Sequence, residues 1–165
     1  MPDKRTIDRA RRDKRAGKSA TTQAGEFIRE EIHRIRRAKH GARSSRHVIA
    51  IGLSEARRAG VALPPPKRGK KRNMRSARHA SDVGHNKRTA RHRPRVARAV
   101  SKALMHEPRD TASRKALSRQ ARRAASRRNA SARSTAARKA ARTKGAAGRS
   151  KAAQTAARTR AHRAS

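Results

Sequence analysis

Three histidines, His33, His40 and His47, recur at seven-residue spacing, an interval that would bring imidazoles to one side of a helix and so raises the question of metal binding. Gly41 breaks the helix that would align them, and neither a cysteine nor a suitably placed carboxylate completes a ligand set. Titratable contacts to phosphate are the expected role for these rings. The absence of cysteine also excludes disulfides, thiolate metal sites and cysteine nucleophiles, and it suits a reducing, cytoplasmic setting. Catalysis by other groups needs nucleophile, base and orienting acid held around a concave pocket. With one Phe and no Tyr or Trp, the chain offers little apolar mass for such a scaffold. No enzymatic activity, cofactor or metal is expected.

The chemistry that the sequence does offer is cationic. Its 165 residues include 49 Lys and Arg against 10 Asp and Glu, a formal net charge of +39, and a body with that charge repels itself unless a polyanion offsets it. Arg outnumbers Lys, and its planar fork pairs bidentately with phosphate oxygens, so nucleic acid is the expected partner. The cations expected to bind it are Lys67, Arg68, Lys70, Lys71 and Arg72 around Gly69, then Arg91, Arg93 and Arg95 around Pro94. Arg119, Arg122, Arg123, Arg127, Arg128, Arg138, Lys139 and Arg142 in an Ala-rich tail complete the set. The first two clusters resemble the minor-groove peptides called AT-hooks, built on Arg-Gly-Arg-Pro. Residues 66–72 lack the Arg-Pro after Gly69, and His92 stands where glycine would approach the groove floor, so generic phosphate contact is the expectation for both. In a eukaryote the first cluster would also serve as a nuclear import signal.

The elements that position these residues separate by composition. Residues 1–21 hold eight basic and three acidic residues, with Lys4 and Asp8, and Arg9 and Asp13, at i,i+4. A mobile basic N-terminal arm is expected there, at most a frayed helix. Residues 22–63 hold the concentrated apolar content. Ile28, Ile32 and Ile35 beside Phe27 form a helical stripe, with Glu26, Glu30 and Glu31 early and Arg34, Arg36, Arg37 and Lys39 late, as the helix dipole favours. Gly41 offers a stop, Ser44 or Ser45 a second cap, and a helix through Val48, Ile49, Leu53 and Ala56 ends at Gly60, with Val61 placed for a Schellman contact. A helical hairpin follows. Arg46 and His47 at the start of its second helix suggest a helix-turn-helix that reads bases, but the apolar run from Val48 to Leu53 favours packing or self-association instead. A candidate homodimer would pack about Val48, Ile49 and Ile51, with Gly52 allowing close approach.

Pro64, Pro65 and Pro66 end the hairpin, and residues 64–94 read as a Pro-rich basic linker. Residues 95–107 read as a short helix entered at Pro94, with Val96, Val100 and Leu104 at i+4 spacing. Residues 108–165 read as a disordered Ala/Arg/Lys-rich tail; from 111 onward it has seventeen cations, nineteen Ala and no acid. The expected fold class is therefore mostly disordered, with a small all-α element carrying basic low-complexity tails.

Ala50-Ile51-Gly52-Leu53-Ser54-Glu55-Ala56-Arg57-Arg58-Ala59-Gly60 resembles the signature, roughly Gln-Ala-Ile-Ala-Ile-Ala-Leu-Ser-Glu-Ala-Arg-Lys-Ala-Gly, of a bacterial family of small basic proteins with no assigned function. His47, Val48 and Gly52 replace that family's Gln, Ala and Ala. The tail is similar in composition to linker-histone tails. The resemblance implies a small basic bacterial protein.

No stretch is apolar enough to span a bilayer or to serve as a signal region, and Asp3, Asp8 and Asp13 count against an organelle transit peptide. The sequence thus points to a cytoplasmic, nucleoid-associated, histone-like protein that binds and compacts DNA without sequence specificity. The alternatives are a nonspecific RNA-binding or ribosome-associated factor, and a helical docking module tethered to DNA by its basic tails. Scarce aromatics weaken specific RNA readout, which relies on base stacking.

Overall fold

The computed structural model describes residues 3–66, 69–86 and 94–164. Seven α-helices lie among them: α1 Lys4–Arg15, α2 Ala20–Arg36, α3 Ser45–Arg58, α4 Lys71–Gly84, α5 Pro94–Met105, α6 Arg114–Ser126 and α7 Ala130–Ala164, with a 3-10 turn at Asp110–Ala112 before α6. The chain is 78% helical, which overturns the expectation of a mostly disordered protein. It divides into two units, Met1–Gln120 and Ala121–Ser165.

In the first unit, local chemistry sets the helix ends. Asp3, Ser19 and Ser44 cap α1, α2 and α3 by accepting from the amides of Arg5, Thr22 and His47. At the other end of α3, Gly60 takes φ 83° and donates to the Arg57 carbonyl, while the Val61 amide donates to Ala56, a Schellman stop that buries Val61. α2 stops differently from the sequence reading. Ala38, not Gly41, takes the left-handed conformation, at φ 60°. Gly41 meets another need: a Cβ there would collide with the carbonyl of Glu107.

α1 packs on α2, α2 on α3 and α3 on α4. One core cluster joins Ala10, Ala24, Phe27, Ala56, Val61 and Leu63; a second joins Ile35, Ala42, Val48 and Ala112. Among the described residues seven of the twelve buried hydrophobics are alanine, so the core comes from close backbone approach more than from large side chains. At the α2–α3 crossing a Cβ on Gly52 would sit 2.7 Å from Ile28 Cα. This is why low apolar content misleads here: counts of large side chains miss a core that small residues build by letting helices close in.

The same cause explains where order replaces expected disorder. Residues 1–21, expected to form a mobile arm, contain α1, whose Thr6 and Ala10 are buried at i,i+4 against α2. The expected linker contains α4, which buries Ala77 and Ala80. The expected disordered tail begins with a core residue, Ala112, at the 3-10 turn. Arg36 donates to the Ala112 carbonyl at 3.0 Å and Ser45 to that of Thr111 at 2.6 Å, which fixes the turn against α2 and α3.

In the second unit, α7 is broken at Gly145 (φ 65°, ψ 177°), and the described side chains are almost all exposed. Asn129 caps α7 by accepting from the Ala132 amide at 2.8 Å. Ala and Arg are strong helix formers, and propensity rather than a buried face accounts for helix here.

Candidate nucleic-acid interface

Most of the carboxylates are held by cations of the first unit, while Asp3, Asp8 and Asp110 are exposed. Six of the ten acidic residues form ion pairs: Glu26 with Arg9 at 2.8 Å and Arg29 at 3.1 Å, Glu55 with Arg34 at 2.8 Å, Glu107 with Arg43 at 3.0 Å, and Asp13 with Lys18 at 2.7 Å, while Glu30 and Glu31 lie within 4 Å of Arg34. Among the described residues only five Lys and Arg take part in these pairs. The buried neighbours of Arg34 include Glu31, whose side chain is fully buried and whose two oxygens accept no hydrogen bond. Burial raises the Glu31 pKa above its ordinary value; His40 and Arg34 pull it down, and Glu55 and Glu30 push it further up. For Arg34, burial lowers the pKa, but the bond to Glu55 and the charges of Glu55, Glu31 and Glu30 outweigh it and raise the pKa.

The cations left over form the outward surface. On α4, Lys71, Arg72, Arg75, Arg78 and His79 are exposed, opposite the buried Ala77 and Ala80, and Lys70 precedes them. Between α3 and α4 lies an open cavity of about 410 Å³ whose lining includes Arg46, Ser54, Asn73 and Ser76 and no carboxylate. Such a lining suits an anionic backbone: a guanidinium supplies charge, and hydroxyl and amide groups supply hydrogen bonds. On α3 only Arg46, Ala50 and Arg58 are exposed. A helix that reads base edges presents more polar side chains than that.

The residues singled out in the sequence are spread over several elements. Lys67, Arg68, Arg91 and Arg93 lie outside the described residues. Lys70, Lys71 and Arg72 lie at the start of α4 and Arg95 in the first turn of α5. Arg119, Arg122 and Arg123 are exposed on α6, Arg127 and Arg128 in the connection after it, and Arg138, Lys139 and Arg142 on α7. Sequence reasoning did not single out Arg75 and Arg78, and it weighed Arg46 only as a reader of bases. The i,i+3 recurrence of Arg72, Arg75 and Arg78 was the available signal, hidden because the segment reads as a linker.

The residues expected to self-associate have other positions. Val48 is fully buried in the chain's own core, and Ile49 and Ile51 are half-buried. Gly52 gives close approach to Ile28 of α2 rather than to a second copy. The three histidines are apart in their contacts: His33 is exposed, His40 Nε2 lies 3.5 Å from Glu31, and His47 Nδ1 accepts from the Arg43 amide at 3.4 Å. Among the described residues no three His, Asp or Glu cluster as a metal site would require. Nor is any described helix long and apolar enough to cross a membrane.

No known family, curated protein or solved structure matches this chain.

Proposed function

We propose that this protein binds DNA without reading its sequence and compacts it, as a histone-like component of the bacterial nucleoid. One observation carries the reading: six of the ten acidic residues are held in ion pairs within the first unit, and the exposed cations of α4, α6 and α7 have no ion-pair partner among the described residues. A phosphate backbone is the ligand that satisfies many separated cations at once. Residues 121–165 alone hold fourteen Lys and Arg and no acid. Cations on both units allow one chain to engage more than one stretch of duplex, which is what compaction requires. The bacterial setting belongs to the proposal and rests on the resemblance of residues 50–60 to a signature of small basic bacterial proteins.

The test is a titration of labelled duplex DNA across a salt series. Engagement of about ten phosphates gives a log-log slope near −9, with equal affinity for a sequence and its scramble. A shallow slope, or strong preference for one sequence at about 150 mM salt, overturns the reading. Isolation from native cells with DNase or RNase treatment identifies the polyanion, and RNase-sensitive, DNase-resistant association would replace DNA by RNA.

A further inference from the structure

The helix α5 is amphipathic but has no buried residue, and Val96 and Val100 on its apolar stripe are 54% and 52% exposed. It is fixed at one end. The Gly41 amide donates to the Leu104 carbonyl at 2.8 Å, the Ala42 amide to that of Pro108 at 3.0 Å, and Arg43 to Glu107 at 3.0 Å. Gly41 permits this approach because the Glu107 carbonyl occupies the space a side chain would need. Beside the anchored end an open cavity of about 340 Å³ separates α5 from α3, with Val100 and Leu104 on one wall and Ile51 on the other. These side chains form an apolar groove that no described residue fills.

The charges around the groove select its occupant. Its two carboxylates, Glu55 and Glu107, are already bonded to Arg34 and Arg43. Its lining cations, Arg43 and Arg58, are exposed, and Arg58 has no ion pair among the described residues. We infer that this groove receives an acidic amphipathic helix of a partner protein, its apolar stripe against Val96, Val100 and Ile51 and its carboxylates on Arg43 and Arg58. A second copy is disfavoured by the mutual repulsion of two chains of net charge +39. A phosphate backbone meets the rim but gains nothing from the apolar row. The inference does not rest on the DNA reading.

Two synthetic helical peptides of identical composition provide the test. One has leucines at i,i+4,i+7 with glutamates on both flanks, and the other has the same leucines scattered. The full-length protein should bind the patterned peptide at least about tenfold more tightly by fluorescence anisotropy, about what one well-buried valine contact contributes. The exposed double variant Val96→Ser/Val100→Ser should lose that preference while keeping the DNA affinity and salt slope of the wild type. Equal binding of the two peptides overturns the inference, as does a preference that survives the double variant. So does a Val100-dependent dimer in sedimentation, Val100-dependent binding to anionic phosphatidylglycerol vesicles, or loss of DNA affinity in the double variant.

Discussion

Glu31 stands where an ionised carboxylate is costly: both oxygens are buried without hydrogen bonds, and Arg34 and His40 stand no closer than 3.7 and 3.5 Å. Its pKa is raised, so the folded chain holds the Glu31 proton more tightly than the unfolded chain, and stability from this group falls as pH rises above 4.5 toward the folded value. Glu31→Gln should therefore melt a few degrees higher than wild type at neutral pH, where about 1 kcal/mol corresponds to roughly 4 °C, and the gap should close as pH approaches 4.5. Thermal melts across pH check this, with Arg34, His40, Glu30 and Glu55 left in place. A constant gap would show that burial of this charge is not its source. At Gly52 two effects compete. Helix propensity favours alanine by about 1 kcal/mol, but a Cβ 2.7 Å from the Ile28 backbone costs typically about 1–3 kcal/mol of overpacking. The neighbour is backbone and cannot swing aside, so Gly52→Ala should lower the melting temperature. The sequence suggested close approach at Gly52 but not that α2 supplies the neighbour, and the burial of Glu31 was not legible at all, because both depend on what lies across the α2–α3 crossing.

Elements with large apolar side chains and caps were legible; those that pack through alanine were not. Ser44 and Gly60 bound α3 where the sequence reading set them, and Pro94 opens α5. α1 and α4 escaped notice because Thr6, Ala10, Ala77 and Ala80, their buried residues, do not stand out as a stripe in a cation-rich segment. The candidate site suffered from the same blindness. Lys70, Lys71 and Arg72 stand out as a local cluster, whereas Arg75 and Arg78 join them only once α4 is a helix with its alanines inward. The triple change Arg72→Ser, Arg75→Ser and Arg78→Ser should preserve the melt and make the salt slope of DNA binding shallower by up to about 2.7, at about 0.9 for each phosphate no longer neutralised. An unchanged slope would remove α4 from the interface.

For the whole molecule, net charge and composition identified the partner class that the proposal adopts but gave the wrong degree of order. Composition counts the cost of ordering a chain against its large apolar side chains. It does not see six acidic residues placed in ion pairs, nor helices close enough for alanine to fill the gap. Circular dichroism without nucleic acid should accordingly show a predominantly helical protein. Deleting residues 121–165 should leave the melt of the first unit in place while weakening DNA binding and flattening its salt slope. Deleting from residue 111 should do more, because it also removes Ala112 and the bonds from Arg36 and Ser45, a loss of about 2 kcal/mol from the hydrogen bonds alone. Equal melts for the two truncations would deny the 3-10 turn its place in the core.

The seat of Ala112 also orders events in time. Arg36 and Ser45 bond to carbonyls 76 and 66 residues downstream, so translation leaves the α2–α3 pair without its last wall for on the order of 4 to 15 s at roughly 5–20 residues per second. The wall arrives just ahead of the stretch that has no acid at all. A nascent chain therefore finishes its body before presenting its most cationic segment, and polyanions in the cell first meet that segment on a closed scaffold.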